Sequence, residues 1–139
     1  MDISIVRLFS VYGKNSPKHL VTSKIISQLN KKSIKLGNIK TKRDFIFLDD
    51  VISAIRLVYS KSKGFNTFNV GTGESHSIEE LCNIIKKLKN KKTNVESLSS
   101  LKRDTDVPEI VANISKIKKL GWTPHVPLEN GLKKLLNLN

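Results

Sequence analysis

Apolar residues fall along this chain in two rhythms, short unbroken runs and stretches recurring every three or four positions, a pattern that predicts strands alternating with helices. Ile3-Ser4-Ile5-Val6-Arg7-Leu8-Phe9 is almost continuous in β-forming residues, as in a parallel strand covered on both faces. Such a strand needs neighbours, and none precedes it here. Tyr12-Gly13-Lys14-Asn15-Ser16-Pro17 reads as a loop, and Val21, Ile25, Ile26 and Leu29 mark one face of a helix. A short strand at Ile34-Lys35-Leu36 stops at the turn signal Gly37-Asn38. Residues 43–48 form the next strand, with Asp49 expected to cap a helix whose inner face is Val51, Ala54, Ile55 and Val58. After a strand at 67–70, Ser77-Ile78-Glu79-Glu80 is a capping box, opening a helix with Ile78, Leu81, Cys82, Ile85 and Leu88 on one side. Beyond a polar stretch, Ile110-Val111-Ala112 is a brief extended piece. Ser115 is expected to cap a short helix closed by Gly121, and Pro127 to occupy the first turn of a last helix through Leu128, Leu132 and Leu135. With no internal repeat or flexible linker, this predicts one α/β domain over residues 1–139.

Composition changes that picture little. A chain of 139 residues with 38% hydrophobic content can fill the core of one domain. No apolar run nears the ~20 residues of a membrane span, and the first residues lack the charged-then-apolar order of a signal peptide. The expected setting is the cytoplasm, with no membrane partner. Cys82, the single cysteine, keeps helical spacing with Ile78, Leu81 and Ile85 and is expected in the core. A formal charge of +13 raises nucleic acid as a partner. The distribution of that charge argues against it: Lys86-Lys87, Lys91-Lys92, Lys118-Lys119 and Lys133-Lys134 sit at or near predicted helix C-termini, where cations complement the dipole. Few of the eight aromatic residues lie outside core-like positions, so little is left for base stacking.

Two segments imitate cofactor chemistry. Gly71-Thr72-Gly73 lies between a strand and a helix, but His76 stands where a dinucleotide fingerprint needs its third glycine, and no acidic residue closes a following strand. It is read as a tight turn. Tyr59 and Lys63 have the spacing of a Tyr-x-x-x-Lys acid/base pair, yet they end the helix begun near Asp49 and are read as a solvated helix end. His19, His76 and His125 share no metal-ligand spacing. Arg43 and Arg103 stand out because this chain otherwise uses lysine for positive charge, having only four arginines. A planar guanidinium grips two phosphate oxygens at once. The alternative is an ion pair of Arg43 with Asp44 or Asp49 and a solvated Arg103.

In order along the chain, Arg7-Leu-Phe-Ser-Val-Tyr-Gly13, Arg43-Asp-Phe-Ile-Phe-Leu-Asp-Asp50, Asn69-Val-Gly-Thr-Gly73 and Leu120-Gly-Trp-Thr-Pro124 together resemble the C-terminal, substrate-binding part of NAD(P)-dependent nucleotide-sugar epimerases and dehydratases, the extended short-chain dehydrogenase/reductase family. The resemblance implies a partial Rossmann-type fold, the last sheet strand plus the small substrate domain, without the N-terminal half that binds NAD or NADP. It implies that Arg43 and Arg103 reach the diphosphate of a nucleotide sugar. Val21 and Lys24, with Leu36, would lie along the base and ribose, and Ser10 would face the sugar. Ser10, Lys14, Thr105 and Asn113 replace the asparagine, proline, glycine and aspartate common in the family, which bears most on the sugar side. Val21-Thr-Ser-Lys-Ile25, Leu36-Gly-Asn38 and Lys42-Arg-Asp44 are similar to the GDP-mannose dehydratase branch. Arg103, Asp106-Val-Pro108 and Val126-Pro-Leu-Glu129 look like GDP-4-keto-6-deoxymannose reductase. Both favour a GDP-sugar. The implied partners are that sugar nucleotide and a missing Rossmann half, or further copies of the chain. Alone, the chain is expected to be inactive, with no catalytic residue of its own. The alternatives are part of a GDP-4-keto-6-deoxy-hexose reductase, and a non-catalytic module that binds sugar nucleotides or other proteins.

Overall fold

The computed structural model describes residues 1–138. Its strands are β1 (Ile3–Leu8), β2 (Ser10–Tyr12), β3 (Ser33–Leu36), β4 (Lys42–Arg43), β5 (Phe45–Phe47), β6 (Phe65–Val70), β7 (His76–Ser77), β8 (Asn94–Ser97) and β9 (Glu109–Ile110). Its α-helices are α1 (Val21–Gln28), α2 (Leu48–Lys61), α3 (Ile78–Leu88), α4 (Ser115–Leu120) and α5 (Leu128–Leu135). β1 pairs with β6, β2 with β5 and β3 with β8, all parallel; β4 lies between antiparallel β7 and parallel β9. Among the described residues no helix is long and apolar enough to cross a membrane.

Two hydrophobic cores result, and β5 is the wall between them. Side chains alternate across a strand, so Phe45 and Phe47 enter a core with Tyr12, Ile25, Leu36, Leu81 and Leu132. Ile46 points the other way, into a core that includes Val58 of α2, Phe68 of β6, Ile117 of α4 and Trp122 just beyond α4. The capping box forms as expected: Glu80 N–H donates to the Ser77 hydroxyl at 3.0 Å and Ser77 N–H to the Glu80 carboxylate at 2.9 Å. Gly121 closes α4 at φ 103°, a left-handed conformation that a side chain would strain. Cys82 is buried, which pushes its thiol up to about 11 and keeps it unreactive.

Other expectations are corrected. Helix α2 begins at Leu48, capped by Phe47 with no side-chain bond, so Asp49 is not its cap; Asp49 lies in the first turn, 3.2 Å from Lys134. Ile55 is 45% exposed and does not join the inner face. Ser115 is the first residue of α4 and not its cap: Ile114 holds the cap position without a side-chain bond, and the Asn113 side-chain oxygen accepts from Ser115 N–H at 3.1 Å. Pro127 stands one residue before α5, at the cap. The polar stretch hides β8, paired to β3. The expected strand over 43–48 is two strands broken at Asp44. β1, by contrast, behaves as a strand that lacks neighbours: among the described residues it pairs with β6 alone, and Ile3, Ile5 and Leu8 stand 40%, 44% and 46% exposed.

Candidate functional site

Asp44 sits at the break between β4 and β5 and is fully buried. Each of its carboxylate oxygens accepts two hydrogen bonds. Oδ1 takes Thr72 N–H and the Thr72 hydroxyl, both at 2.7 Å, and Oδ2 takes Gly73 N–H at 2.9 Å and Ala112 N–H at 3.1 Å. The Asp44 main chain adds two more, receiving Ser10 N–H at 2.9 Å and donating to the Ile110 carbonyl at 3.0 Å. One residue thus joins the segment carrying Arg43, the strand carrying Ser10, the glycine turn and the stretch leading into α4.

Arg43, half-buried on β4, forms no ion pair with Asp44 or Asp49. Its Nη1 donates to its neighbour's carbonyl, Lys42 O, at 2.7 Å and to Val107 O at 2.9 Å. The second bond ties it to the segment bearing Arg103, an exposed residue in a turn where Asp106 N–H donates to Arg103 O at 3.1 Å. Lys42 N–H to Pro108 O at 2.8 Å closes the same seam. Arg43 is thereby tied to the segment that carries Arg103, four residues before Val107, and neither arginine forms an ion pair with a carboxylate among the described residues.

Ser10 and Val21 meet in a cavity of about 380 Å³, lined also by Phe9, Tyr12, Thr22 and Phe45. The Tyr12 phenol is not free to act there: it donates to Leu128 O at 3.2 Å, and burial, then the nearby Asp50 charge, raise its pKa well above the usual tyrosine range. Lys24 is exposed on α1 one turn after Val21, outside that lining. Leu36 is the clearest departure. Its side chain is in the core, closed to a ligand, and its carbonyl receives Leu98 N–H at 2.8 Å.

Sequence reasoning missed Asp44, although its signal was present: one carboxylate inside an apolar run must find several donors or disrupt the strand. It also missed Gly37, where a Cβ would stand 2.9 Å from the Leu101 carbonyl carbon because the segment leading to Arg103 crosses there.

The residues here do not fit a nicotinamide cofactor. Amides of the Gly71–Gly73 turn that could cradle a pyrophosphate are already spent on Asp44, and a Cβ on Gly71 would meet Asp44 Oδ2 at 2.6 Å. Tyr59 is 91% exposed at the far end of α2. Isothermal titration of this chain with NAD and NADP is expected to give no heat in the micromolar range; saturable binding at that level would reopen the turn as a cofactor site.

The family model described as GDP-mannose 4,6 dehydratase matches residues 1–135. The chain belongs to the GDP-mannose 4,6-dehydratase family. It is 33% identical over 138 residues to CDP-abequose synthase of Salmonella muenchen, covering 96% of this chain and 46% of that one. It is 35% identical over 141 residues to UDP-glucuronate 4-epimerase of Thermodesulfobacterium geofontis, with coverages of 99% and 43%. UDP-N-acetylglucosamine 4-epimerase from Methanobrevibacter ruminantium M1, solved with UDP-N-acetylmuramic acid, superposes with a TM-score of 0.87 at 28% identity, covering 99% of this chain and 46% of the other. This family member is thus similar to nucleotide-sugar epimerases and dehydratases of the extended short-chain dehydrogenase/reductase type. It spans about half the length of the curated relatives it matches.

Proposed function

We propose that this chain is the substrate-binding part of a nucleotide-sugar epimerase, dehydratase or reductase, with Arg43 and Arg103 holding the diphosphate. The observation that carries it is the Arg43 to Val107 bond, which fastens one arginine free of carboxylate partners to the segment that carries the other. Ser10 and Val21, sharing the neighbouring cavity, are the proposed contacts on the sugar and nucleoside side, with Lys24 at its margin; Leu36, buried and paired to β8, is given no contact. Hydride transfer through NAD or NADP is assigned to a Rossmann half beyond these residues, on the same or another polypeptide. The GDP-sugar preference is supported by the family model's name. Relatives named for CDP-, UDP- and dTDP-sugars make all four bases worth testing.

Arg43→Ala and Arg103→Ala are each expected to weaken sugar-nucleotide binding by about 1.5–3 kcal/mol, the scale of a hydrogen bond to a charged group. Lysine should rescue only in part, having one charge but no planar fork. Calorimetric titration with UDP-, GDP-, CDP- and dTDP-sugars measures this, and unchanged affinities in well-folded variants would sink the clamp.

The free edge of β1 and its exposed isoleucines favour a docked strand from that Rossmann half. Light scattering on the chain by itself should then show mass above the monomer that rises with concentration. A sharply melting monomer would instead favour an independent binding module.

A further inference from the structure

Four bonds zip residues 42–44 to residues 107–112: Arg43 Nη1 to Val107 O, Lys42 N–H to Pro108 O, Asp44 N–H to Ile110 O, and Ala112 N–H to the Asp44 carboxylate. The first three need only a backbone carbonyl within reach. The fourth needs a buried anion, and that anion is itself locked in place by the Thr72 and Gly73 donors from a different part of the chain. A carboxylate with both oxygens doubly occupied has no rotational freedom left to give away. Where it points therefore decides where Ala112 lies, and with it the register of β9 on β4 (Arg43 opposite Ile110). Arg103 hangs on the same segment, upstream of the seam, in a turn that holds to the rest of the molecule through this pairing and through the approach of Leu101 to Gly37.

We propose that Asp44 is the positioning residue of the diphosphate clamp, setting where the Arg103 segment stands relative to Arg43. It touches no ligand itself. The idea rests on the diphosphate reading above and extends it to a residue whose charge is spent wholly inside the protein. It also explains the cofactor-like glycine turn: Gly71 leaves room for the Asp44 carboxylate, and the two following amides bind that internal anion as they would bind an external phosphate.

The test compares the wild-type chain with Asp44→Asn and, in case that fails to fold, Thr72→Ala, which removes one of the four donors to the Asp44 carboxylate together with the local Thr72–Glu74 bonds. Amide hydrogen exchange is followed without ligand, and each protein is titrated with UDP-glucose and with uridine. In Asp44→Asn the amides of residues 106–112 are expected to exchange about tenfold faster while those of α3 are unchanged. UDP-glucose affinity should fall about tenfold with uridine affinity unaltered, since only the charged part of the ligand feels the misplaced arginine. Thr72→Ala should move both readings the same way by a smaller factor. Wild-type exchange rates across 106–112 in folded variants would overturn the proposal, as would equal proportional losses for UDP-glucose and uridine. Should UDP-glucose not bind, the sugar nucleotide of the four bases that binds, with its nucleoside, replaces the UDP-glucose and uridine pair, and a wild-type chain that binds none of them removes the diphosphate reading; the exchange rates then decide by themselves whether Asp44 sets the segment.

Discussion

Asp44→Ala is expected to lose about 3–5 kcal/mol of folding stability, the scale for stripping one partner from a buried charged network. Alanine removes the acceptor for three backbone amides, those of Thr72, Gly73 and Ala112, each costing roughly 1–3 kcal/mol if left dry and unpaired. Water entering the vacated space recovers part of that, which keeps the total below the plain sum. Against the roughly 5–15 kcal/mol that holds a domain together, such a loss leaves little margin at room temperature. Urea unfolding followed by tryptophan fluorescence is a fitting measurement, because Trp122 is buried in the core next to this junction. A midpoint within error of wild type would mean that the donors find other partners and that Asp44 is not the keystone described above.

Gly131→Ala should destabilise as well, against the usual rule for helices. Propensity alone favours alanine in a helix interior by about 1 kcal/mol. Here the added methyl would land on the Tyr12 hydroxyl, with the ring carbon beneath it at 2.8 Å and Phe47 at 3.1 Å. Tyr12 cannot yield, being buried and bonded to Leu128 at the start of the same helix. Helix α5 must therefore back away from β2 and β5, opening the first core. Overpacking of this kind costs about 1–3 kcal/mol, occasionally more. We expect a net loss of about 2 kcal/mol by thermal unfolding, because the propensity gain offsets only part of a clash against a pinned ring. In a Tyr12→Phe background the nearest atom is gone, and the alanine penalty should shrink. A Gly131→Ala protein melting above wild type would show that α5 moves more freely than its contacts with Tyr12 allow.

How much of this was legible in the sequence depends on what each residue's signal reports. Helices α1 and α3 announce themselves because burial on one side imposes a period that composition cannot fake, and the reciprocal bonds of Ser77 and Glu80 are a local geometry written in four residues. β8 is invisible by the same logic. Asn94, Val95, Glu96 and Ser97 pair with β3, yet only Val95 is packed against the core, so the strand is made by main-chain bonds that no side-chain pattern encodes. Ile55 misleads because helical spacing identifies an apolar side chain, not whether anything covers it. In the candidate site, Arg43 was legible through its rarity among lysines, and the bond to Val107 was not, because a carbonyl acceptor leaves no trace in residue type. Asp49 and Asp50 show the same limit. Either could have capped α2; Asp50 instead turns to accept from the His125 and Val126 amides, fastening the distant C-terminal segment to the helix start.

The parallel pairings have a consequence for how this chain reaches its native state. β1 finds β6, and β3 finds β8, roughly sixty residues further along, and each closure is paid in chain entropy before its contacts give anything back. A parallel pair cannot be shortcut by a hairpin, so the crossover helix between the strands has to be in place first. During synthesis β1 leaves the ribosome about sixty residues ahead of β6, and this pairing waits for that strand. The local, well-capped α3 can form within its own sequence, whereas the seam between residues 42–44 and 107–112 can close only after residue 112 has left the ribosome. The Arg43-bearing edge is thus completed later than α3, and slow folding of these long-range parallel pairings follows from topology.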